Sequence, residues 1–498
     1  MADSGQPVKK DSCLGNTART SLLWGGGFTL ARDFVQFATM LVLVRILSPE
    51  DYGSAALGQS ILGLISVVSF GTFVLHTLQQ RDPANIDWQA HFTAAVFINS
   101  LLFSLTLLVA WGLSFHGSYQ NSALPLAGLA VVFLIEAPGS LRHRMLETQH
   151  DWKRFRLLLI IGTLLSSFVG LIVALLGGGV WALIVQVPLL GLPAAIDLFW
   201  GGHWRPNWSW SWKKYRDIAS FGANRMGAAL VLKGRQAAEQ TILAGTYDLG
   251  ALGVFTRTVG LANLIAGRIG SVAMMSLYPI VTRAEKGSER FQRISALVLQ
   301  GVCWSTVPFA TFLAVCASDV VELLYGENWR MVAALLPLAV AGVALSGIAT
   351  TATSLLLANN DIRLSLAIDS AAACAAVALA FWLVPAGVDT YLAGLAILGV
   401  IMVVLSLFAL VIRCGIKREA ILSCIIPSLL GSAGAALVLE GFCRFGIANF
   451  FLPTRLLLGA TIFFITYLLI LRIVFPSSMR DLLEVAPAGK LMTKYIFL

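Results

Sequence analysis

Six cationic side chains fall inside segments that are otherwise apolar enough to cross a lipid bilayer. They are Arg32, Arg225, Lys233, Arg235, Arg257 and Arg268. A cation at the centre of a membrane helix costs about 2.5–3.5 kcal/mol on insertion scales, so such residues generally face a protein interior or a watery cavity. The planar fork of arginine donates paired hydrogen bonds to phosphate groups. The pattern therefore predicts a cationic cavity for an anionic substrate.

The spacing of these cations places several of them on shared helix faces. Arg257 and Arg268 are eleven residues apart, close to three helical turns and about 16 Å along the axis. Arg225 and Lys233 also share a face, which Gln236 continues. Because a glutamine amide can bond sugar hydroxyls, the sequence predicts a substrate that combines negative charge with hydroxyl groups.

Two acidic residues accompany the cations in the same segments. Asp33 follows Arg32, and Glu239 lies one helical turn after Arg235. Each acid is a candidate for proton or sodium coupling, since a buried carboxyl can carry a proton through a transport cycle. The alternative, which the sequence favours, is that each acid is an ion-pair partner for its neighbouring cation. Gln36 shares the face of Arg32 and joins the predicted substrate-binding set.

The composition identifies the class of protein. Of the 498 residues, 57% are hydrophobic and 12% are charged, whereas a soluble domain averages about 25% charged residues. We expect an all-α polytopic membrane protein, because a membrane helix satisfies its own backbone hydrogen bonds. The net charge of +9 does not indicate nucleic acid, because loop topology accounts for it. Seven cysteines without a CxxC pair predict neither disulfides nor a metal site, and no cofactor is expected.

Fourteen apolar runs approach or exceed the length of about 20 residues that a membrane helix needs. With the N-terminus in the cytoplasm, the cytoplasmic loops and tails hold 25 of the 35 lysines and arginines, and the opposite side holds four. This positive-inside asymmetry predicts that both termini are cytoplasmic. The predicted spans are 21–46, 53–78, 90–114, 122–141, 156–177, 180–200, 218–244, 249–281, 292–317, 331–357, 362–384, 389–412, 420–441 and 454–475.

Turn motifs recur at a nearly constant offset along the chain. Gly117–Asn121 resembles Gly326–Arg330 at an offset of 209, and Gln149–Lys153 resembles Asn359–Arg363 at an offset of 210. Such repeats predict two six-helix lobes of equal topology, related by a pseudo-twofold axis along the membrane normal. The expected order is a cytoplasmic tail (1–20), an N-lobe (21–200), an amphipathic tryptophan-rich linker (201–217), a C-lobe (218–412), two further helices (413–475) and a cytoplasmic tail (476–498).

Several junctions carry a family resemblance that covers nearly the whole chain. They are Arg45–Gly53, Asp248-Leu249-Gly250, Tyr278-Pro279 and Leu324–Trp329. On these motifs the chain resembles the polysaccharide transporter, or Wzx-type oligosaccharide flippase, branch of the MATE-like (MOP) superfamily. The resemblance implies movement of polyprenyl-diphosphate-linked oligosaccharides from the inner to the outer leaflet of the bacterial inner membrane by alternating access. It implies use in O-antigen, capsule or exopolysaccharide synthesis, beside a polymerase and a chain-length regulator.

The resemblance also places the first, seventh and eighth predicted helices beside the cleft between the lobes. The side chains expected to contact the lipid-linked substrate there are Arg32, Gln36, Lys233, Arg235, Gln236, Arg257 and Arg268, with Asp33 and Glu239 as the coupling candidates. Besides this substrate we expect membrane lipids as partners and no nucleic acid.

Four other functions compete with this interpretation. A lipid II flippase is expected to carry a cation in its second helix, and 53–78 has none. A multidrug antiporter normally stops at twelve helices and favours an acidic or apolar cavity. A polymerase or ligase of lipid-linked glycans is expected to hold catalytic residues in a large external loop, which the predicted topology lacks. A structural scaffold would not explain the intramembrane cations, so we expect a transporter rather than an enzyme.

Overall fold

The computed structural model describes residues 10–69, 86–201, 204–209, 212–264, 281, 285–286, 288–445 and 450–479. Sixteen α-helices and no β-strand lie within those residues. The chain divides into two compact units, an N-terminal unit (Met1–Leu230) and a C-terminal unit (Val231–Leu498). The predicted all-α architecture is confirmed, while the predicted lobe boundaries stay a prediction.

The helices of the N-terminal unit are α1 Lys10–Ile46, α2 Pro49–Ile65, α3 Trp88–Leu113, α4 Gln120–Thr148, α5 Trp152–Leu175, α6 Trp181–Ile184 and α7 Gln186–Trp200. Helix α8, Trp212–Thr246, crosses the boundary between the units. The C-terminal unit continues with α9 Leu249–Ala262, α10 Glu289–Val315, α11 Ala317–Leu324, α12 Arg330–Ala358, α13 Ile362–Leu383, α14 Val388–Cys414, α15 Arg418–Phe445 and α16 Leu452–Val474.

Within the described residues, eleven helical segments are long and apolar enough to cross a membrane. Large apolar side chains are widely exposed on them, Ile473 and Trp382 among the most, as expected of a lipid-facing surface. Three predicted spans are not among the eleven. Those over 53–78 and 249–281 fall partly outside the described residues, and 218–244 carries more charge than such spans usually hold.

The recurring turn motifs correspond to matching local structures. His150 and Asn360, which are 210 residues apart, both adopt a left-handed backbone, with φ of 57° and 74°. In each turn the next residue, an aspartate, donates its amide five residues back, from Asp151 to Leu146 and from Asp361 to Leu356. This is a helix C-terminal turn that allows the following helix to begin at once. The sequence repeat therefore marks equivalent turns between α4 and α5 and between α12 and α13.

Side-chain caps explain where several helices start. Ser48 and Asp51 cap α2 reciprocally: the Asp51 amide donates to the Ser48 hydroxyl over 3.2 Å, and the Ser48 amide donates to the Asp51 carboxylate over 3.0 Å. Asp248 caps α9 by accepting the Ala251 amide over 2.6 Å. Such caps satisfy backbone amides that have no partner within the helix. The two family-like junctions after the first and seventh predicted spans are thus capping motifs.

Small residues allow the helices of the N-terminal unit to approach closely. A Cβ added at Gly162 of α5 would lie 2.3 Å from the Leu190 carbonyl oxygen of α7, and one at Gly139 of α4 would lie 3.0 Å from that of Gly191. The same three helices share an apolar cluster of the buried Leu146, Leu158 and Ala194. Glycine therefore fixes how near α4 and α5 come to α7.

The two C-terminal helices are packed into the C-terminal unit by hydrogen bonds to buried carbonyl groups. The Trp304 indole of α10 donates to the Cys424 carbonyl of α15 over 3.0 Å. The Tyr467 hydroxyl of α16 donates to the Trp304 carbonyl, also over 3.0 Å. Both rings are buried. Helices α15 and α16 are consequently integral parts of this unit.

Part of the predicted linker is bound to the N-terminal unit. The Gln89 amide of α3 donates to the Arg205 carbonyl over 2.8 Å, and the Ser209 amide donates to the Thr93 hydroxyl over 3.0 Å. The Phe92 ring contacts Trp204 and Trp208, with ring centroids 5.9 and 6.1 Å apart. Residues 204–209 therefore form a docked segment on α3.

Candidate functional site

The first predicted cation lies on α1 beside an acid. The Arg32 guanidinium donates to the Asp33 carboxylate over 3.1 Å, and 36% of the Arg32 side chain is exposed. Gln36 is exposed one turn later. The ion-pair alternative for Asp33 is thus realised, and the pair retains an exposed guanidinium that can donate further hydrogen bonds.

A second pair lies on α8 in the C-terminal unit. The Arg235 Nε–H group donates to Glu239 Oε1 over 2.7 Å, with 36% of the Arg235 side chain and 10% of the Glu239 side chain exposed. Lys233 and Gln236 lie on either side of Arg235 in the sequence and are exposed. The spacing of four residues brings Arg235 and Glu239 onto one face of the helix. The pair is electrically balanced, and Lys233 adds one positive charge with no ion-pair partner among the described residues.

Buried polar groups of the C-terminal unit lie near the α8 pair. Tyr391, in the first turn of α14, is fully buried, and its hydroxyl lies beside the Glu239 carboxylate without meeting hydrogen-bonding geometry. Its ring packs near Phe255 of α9, with ring centroids 6.0 Å apart. Nothing in the sequence spacing joined Tyr391 to Glu239, because they lie more than 150 residues apart. The structure therefore adds Tyr391 to the surroundings of the predicted coupling acid.

The backbone of Arg257 on α9 contacts a buried aromatic pair. The Tyr325 hydroxyl donates to the Arg257 carbonyl over 3.5 Å, and Tyr325 packs edge-on against Trp329, with centroids 5.8 Å apart. Both aromatic residues are buried. Burial raises the pKa of the Tyr325 phenol, and the nearby positive charge of Arg257 opposes that rise. The Leu324–Trp329 motif thus packs against the residue that carries a predicted substrate contact.

Two predicted cations have no described side chain. Arg268 lies outside the described residues, and Arg225 lies within α8 but its side chain is outside the description. Their predicted roles stay predictions. The structure brings Lys233, Arg235, Gln236 and Glu239 onto one helix segment, and it places Arg32 with Asp33 and Gln36 on α1.

Sequence reasoning missed a charged cluster in the N-terminal unit. The Asp197 carboxylate of α7 accepts from Arg142 of α4 and from Arg154 of α5, each over 2.7 Å. Arg154 also donates to the Gly201 carbonyl over 2.7 Å. Hydropathy assigned both arginines to a cytoplasmic loop, because it ends a helix where the apolar run ends. Arg142 is instead 6% exposed and belongs to the packing of three helices.

A comparison with known proteins gives the chain a family. A profile described as polysaccharide biosynthesis protein matches residues 42–334, which is more than half of the chain. The chain belongs to this family. The resemblance seen in the sequence motifs is thereby confirmed.

Two relatives share 21% identity with the chain. One is the succinoglycan biosynthesis transport protein ExoT of Rhizobium meliloti (strain 1021), matched over 299 residues. That match covers 59% of this chain and 60% of ExoT. The other is an uncharacterized membrane protein in the cps region of Klebsiella pneumoniae, with 69% of this chain and 72% of that protein covered.

Solved structures share the fold. The lipid II flippase MurJ in an inward closed conformation matches with a TM-score of 0.71 at 14% identity, over 91% of this chain and 99% of that one. An inward-facing multidrug resistance MATE family transporter of the MOP superfamily matches with a TM-score of 0.54 at 13% identity, over 77% and 94%. This family member therefore has the MOP fold.

Proposed function

We propose that this protein flips polyprenyl-diphosphate-linked oligosaccharides across the bacterial inner membrane by alternating access, with both termini in the cytoplasm. The single observation that carries the proposal is the charged stretch of α8 in a member of the polysaccharide biosynthesis family. Lys233, Arg235 and Gln236 lie there within four residues, and each side chain is at least partly exposed. The transport role named for ExoT supports the same assignment.

The chemistry of the stretch suits the two parts of such a substrate. Lys233 supplies a positive charge for a diphosphate, and the part of the Arg235 guanidinium not directed at Glu239 can donate to the same group. The Gln236 amide can both donate to and accept from sugar hydroxyls. A multidrug antiporter that carries cations would gain nothing from this arrangement, because like charges repel.

The test is translocation of a polyprenyl-diphosphate oligosaccharide by purified protein in liposomes. We expect Lys233→Gln to slow translocation about tenfold or more, because a hydrogen bond to a charged group contributes about 1.5–3 kcal/mol. Lys233→Arg keeps the charge and should retain most of the rate. Arg330→Gln is the matched control, since Arg330 is an exposed cation, 80% accessible, outside the stretch.

Three outcomes would overturn the proposal. Unchanged translocation by Lys233→Gln would remove α8 from the substrate path. Preference for lipid II over all oligosaccharides offered would favour a lipid II flippase, and efflux of a cationic dye without oligosaccharide translocation would favour an antiporter. Retention of the rate in Arg330→Gln and its loss in Lys233→Gln would support the proposal.

Coupling to a proton or to sodium is part of the proposal, with Asp33 and Glu239 as the first candidates. Both acids are engaged by a guanidinium in this structure. Coupling through either acid therefore requires the ion pair to open during the cycle. We expect Glu239→Gln to abolish any dependence of translocation on an ion gradient if Glu239 is the coupling group, whereas Asp33→Gln should do so if Asp33 is.

A further inference from the structure

An acid of the membrane-spanning helix α4 has no ion-pair partner among the described residues. Glu136 lies on α4, and its Oε1 atom accepts the Ser69 hydroxyl over 3.1 Å. Ser69 is buried and follows the 3₁₀ turn Ser66–Val68 at the end of α2. The contact therefore joins the end of α2 to the interior of α4 through a carboxyl group and one neutral hydroxyl.

This arrangement differs from that of the other acids in the predicted coupling and packing sites. Asp33, Asp197 and Glu239 each accept from a guanidinium at 3.1 Å or less. Glu136 has no ion pair among the described residues. Glu136 is half-buried. An ionised carboxylate that is partly withdrawn from water without a cation is disfavoured relative to a paired one, and proton uptake removes its charge.

The charged and titratable groups around α4 are engaged elsewhere or lie on other parts of the helices. Arg142 binds Asp197 and Arg144 binds Glu147 on α4 itself. None of the charged or titratable groups on these helices forms an ion pair with Glu136. These groups are Glu50, Asp51 and Tyr52 of α2, His91 of α3, Arg142, His143, Arg144 and Glu147 of α4, Lys153, Arg154 and Arg156 of α5, and Asp197 of α7.

The position of Glu136 in its helix links its charge to the shape of α4. Pro138, two residues later, lies inside the helix and has no amide to donate to the carbonyl four residues earlier. A helix is locally weaker at such a point and bends more easily. The Ser69 hydroxyl bonds to α4 two residues before Pro138, so a change in the Glu136 carboxyl acts close to the point where α4 resists bending least.

We propose that Glu136 is a proton-binding site of the N-terminal unit, taking up and releasing one proton in each transport cycle with Ser69 as its hydrogen-bond partner. Ionised, the carboxylate accepts the Ser69 O–H; protonated, the carboxyl O–H can donate to the Ser69 oxygen. Uptake of the proton forms one O–H bond to Glu136, release breaks that bond, and the proton is the only atom transferred. The role of this step in transport rests on the proposed function.

The experiment measures proton binding separately from transport. Infrared difference spectroscopy of the purified protein, titrated with acid, should show the C=O stretches of all carboxyls that become protonated, among 26 aspartates and glutamates. We assign to Glu136 the component that wild type has and Glu136→Gln lacks. That component should remain in Glu440→Gln and should shift its titration midpoint in Ser69→Ala. Glu440 is the matched control because it is an exposed acid paired with Arg444 on α15.

Transport supplies the second measurement. In liposomes with a pH gradient, Glu136→Gln should lose the acceleration that the gradient gives to wild type, while translocation without a gradient continues. An acid-induced spectrum of Glu136→Gln that equals that of wild type would overturn the proposal, and so would retained acceleration by the gradient. If wild type fails to translocate any oligosaccharide, the proposed function fails, but the infrared result still decides whether Glu136 binds the proton. Glutamine preserves size and hydrogen bonding, and size-exclusion chromatography verifies that the variant is folded.

Discussion

In the N-terminal unit, charge joins helices to one another, whereas in the C-terminal unit the principal charged pair stays on one helix. Asp197 bridges α4, α5 and α7 through Arg142 and Arg154. The Arg235–Glu239 pair lies wholly within α8. The charged cluster of the N-terminal unit therefore serves architecture, whereas substrate binding by the cations of α8 stays a proposal.

In the C-terminal unit, hydrogen bonds between uncharged groups connect neighbouring helices. Trp304 and Tyr467 connect α10, α15 and α16 through backbone carbonyls. One ion pair between helices, Asp319 with Arg455, supplements them near the ends of α11 and α16. The difference teaches that intramembrane charge alone does not identify a functional residue. An ion pair between helices indicates a structural role, whereas a charged pair within one helix leaves a functional role open. Substitutions can test that criterion.

Asp197→Ala should have the largest effect, because it leaves two arginines without their shared partner. Removing one partner of a buried ion pair costs about 3–5 kcal/mol. We expect a large fall in the apparent melting temperature of the purified protein in detergent, measured by intrinsic tryptophan fluorescence. Asp197→Asn should fall less, since the amide oxygen still accepts a hydrogen bond. A melting temperature like that of wild type in Asp197→Ala would contradict the structural role of this cluster.

Gly162→Ala should come next and tests close helix packing in the same unit. The added methyl group would meet the Leu190 carbonyl oxygen at 2.3 Å, so α5 and α7 must separate, and overpacking of this kind costs about 1–3 kcal/mol. Gly347→Ala on α12 is the matched control, because its Cβ meets nothing within 4 Å. Thermal unfolding of both variants checks the prediction. Equal melting temperatures for the two would show that α5 tolerates the shift.

Trp304→Phe should have a moderate effect on stability and tests the uncharged hydrogen bonds that connect helices of the C-terminal unit. The ring remains apolar, but its N–H donor to the Cys424 carbonyl is lost, which costs about 1–2 kcal/mol. Trp382→Phe is the control, since Trp382 is 82% exposed. Fluorescence-detected size-exclusion chromatography after heating measures the loss. If both variants unfold at the same temperature, the indole hydrogen bond contributes nothing measurable to the attachment of α15.

Glu440→Ala should have the smallest effect of the four. Glu440 and Arg444 form a pair on α15 whose side chains are 54% and 72% exposed. Pairs of this kind contribute about 0–1 kcal/mol, because water and salt screen them. We expect a melting temperature within error of wild type by the same chromatographic assay. A loss as large as that of Asp197→Ala would abolish the distinction between bridging and local pairs.

Local features were predictable from the sequence because they depend on neighbouring residues. The helix predicted over 331–357 is observed as Arg330–Ala358, and Val388–Cys414 matches 389–412 closely. Apolar runs define such helices. The Arg235–Glu239 pair was an open alternative in the sequence, since a spacing of four residues brings side chains together on any helix.

Features that depend on tertiary contacts were not predictable. The helix α4 extends to Thr148, beyond the predicted end at 141, because Asp197 provides a partner for Arg142 that hydropathy does not consider. Helix α1 begins at Lys10 rather than at residue 21. The predicted start marked only the beginning of the apolar run, and a helix can extend into the polar residues that precede it. The span predicted over 180–200 is interrupted at Val185, where α6 gives way to α7.

The docked segment 204–209 also bears on how this chain can be divided. Gln89 and Thr93 bind it to α3, so it belongs structurally with the helices before it although it follows α7 in the chain. A split transporter, made by co-expressing two fragments, should therefore be cut after Ser209 rather than after Trp200. The later cut leaves the docked segment 204–209 on the first fragment. The Phe92 contacts with Trp204 and Trp208 then stay within a single polypeptide.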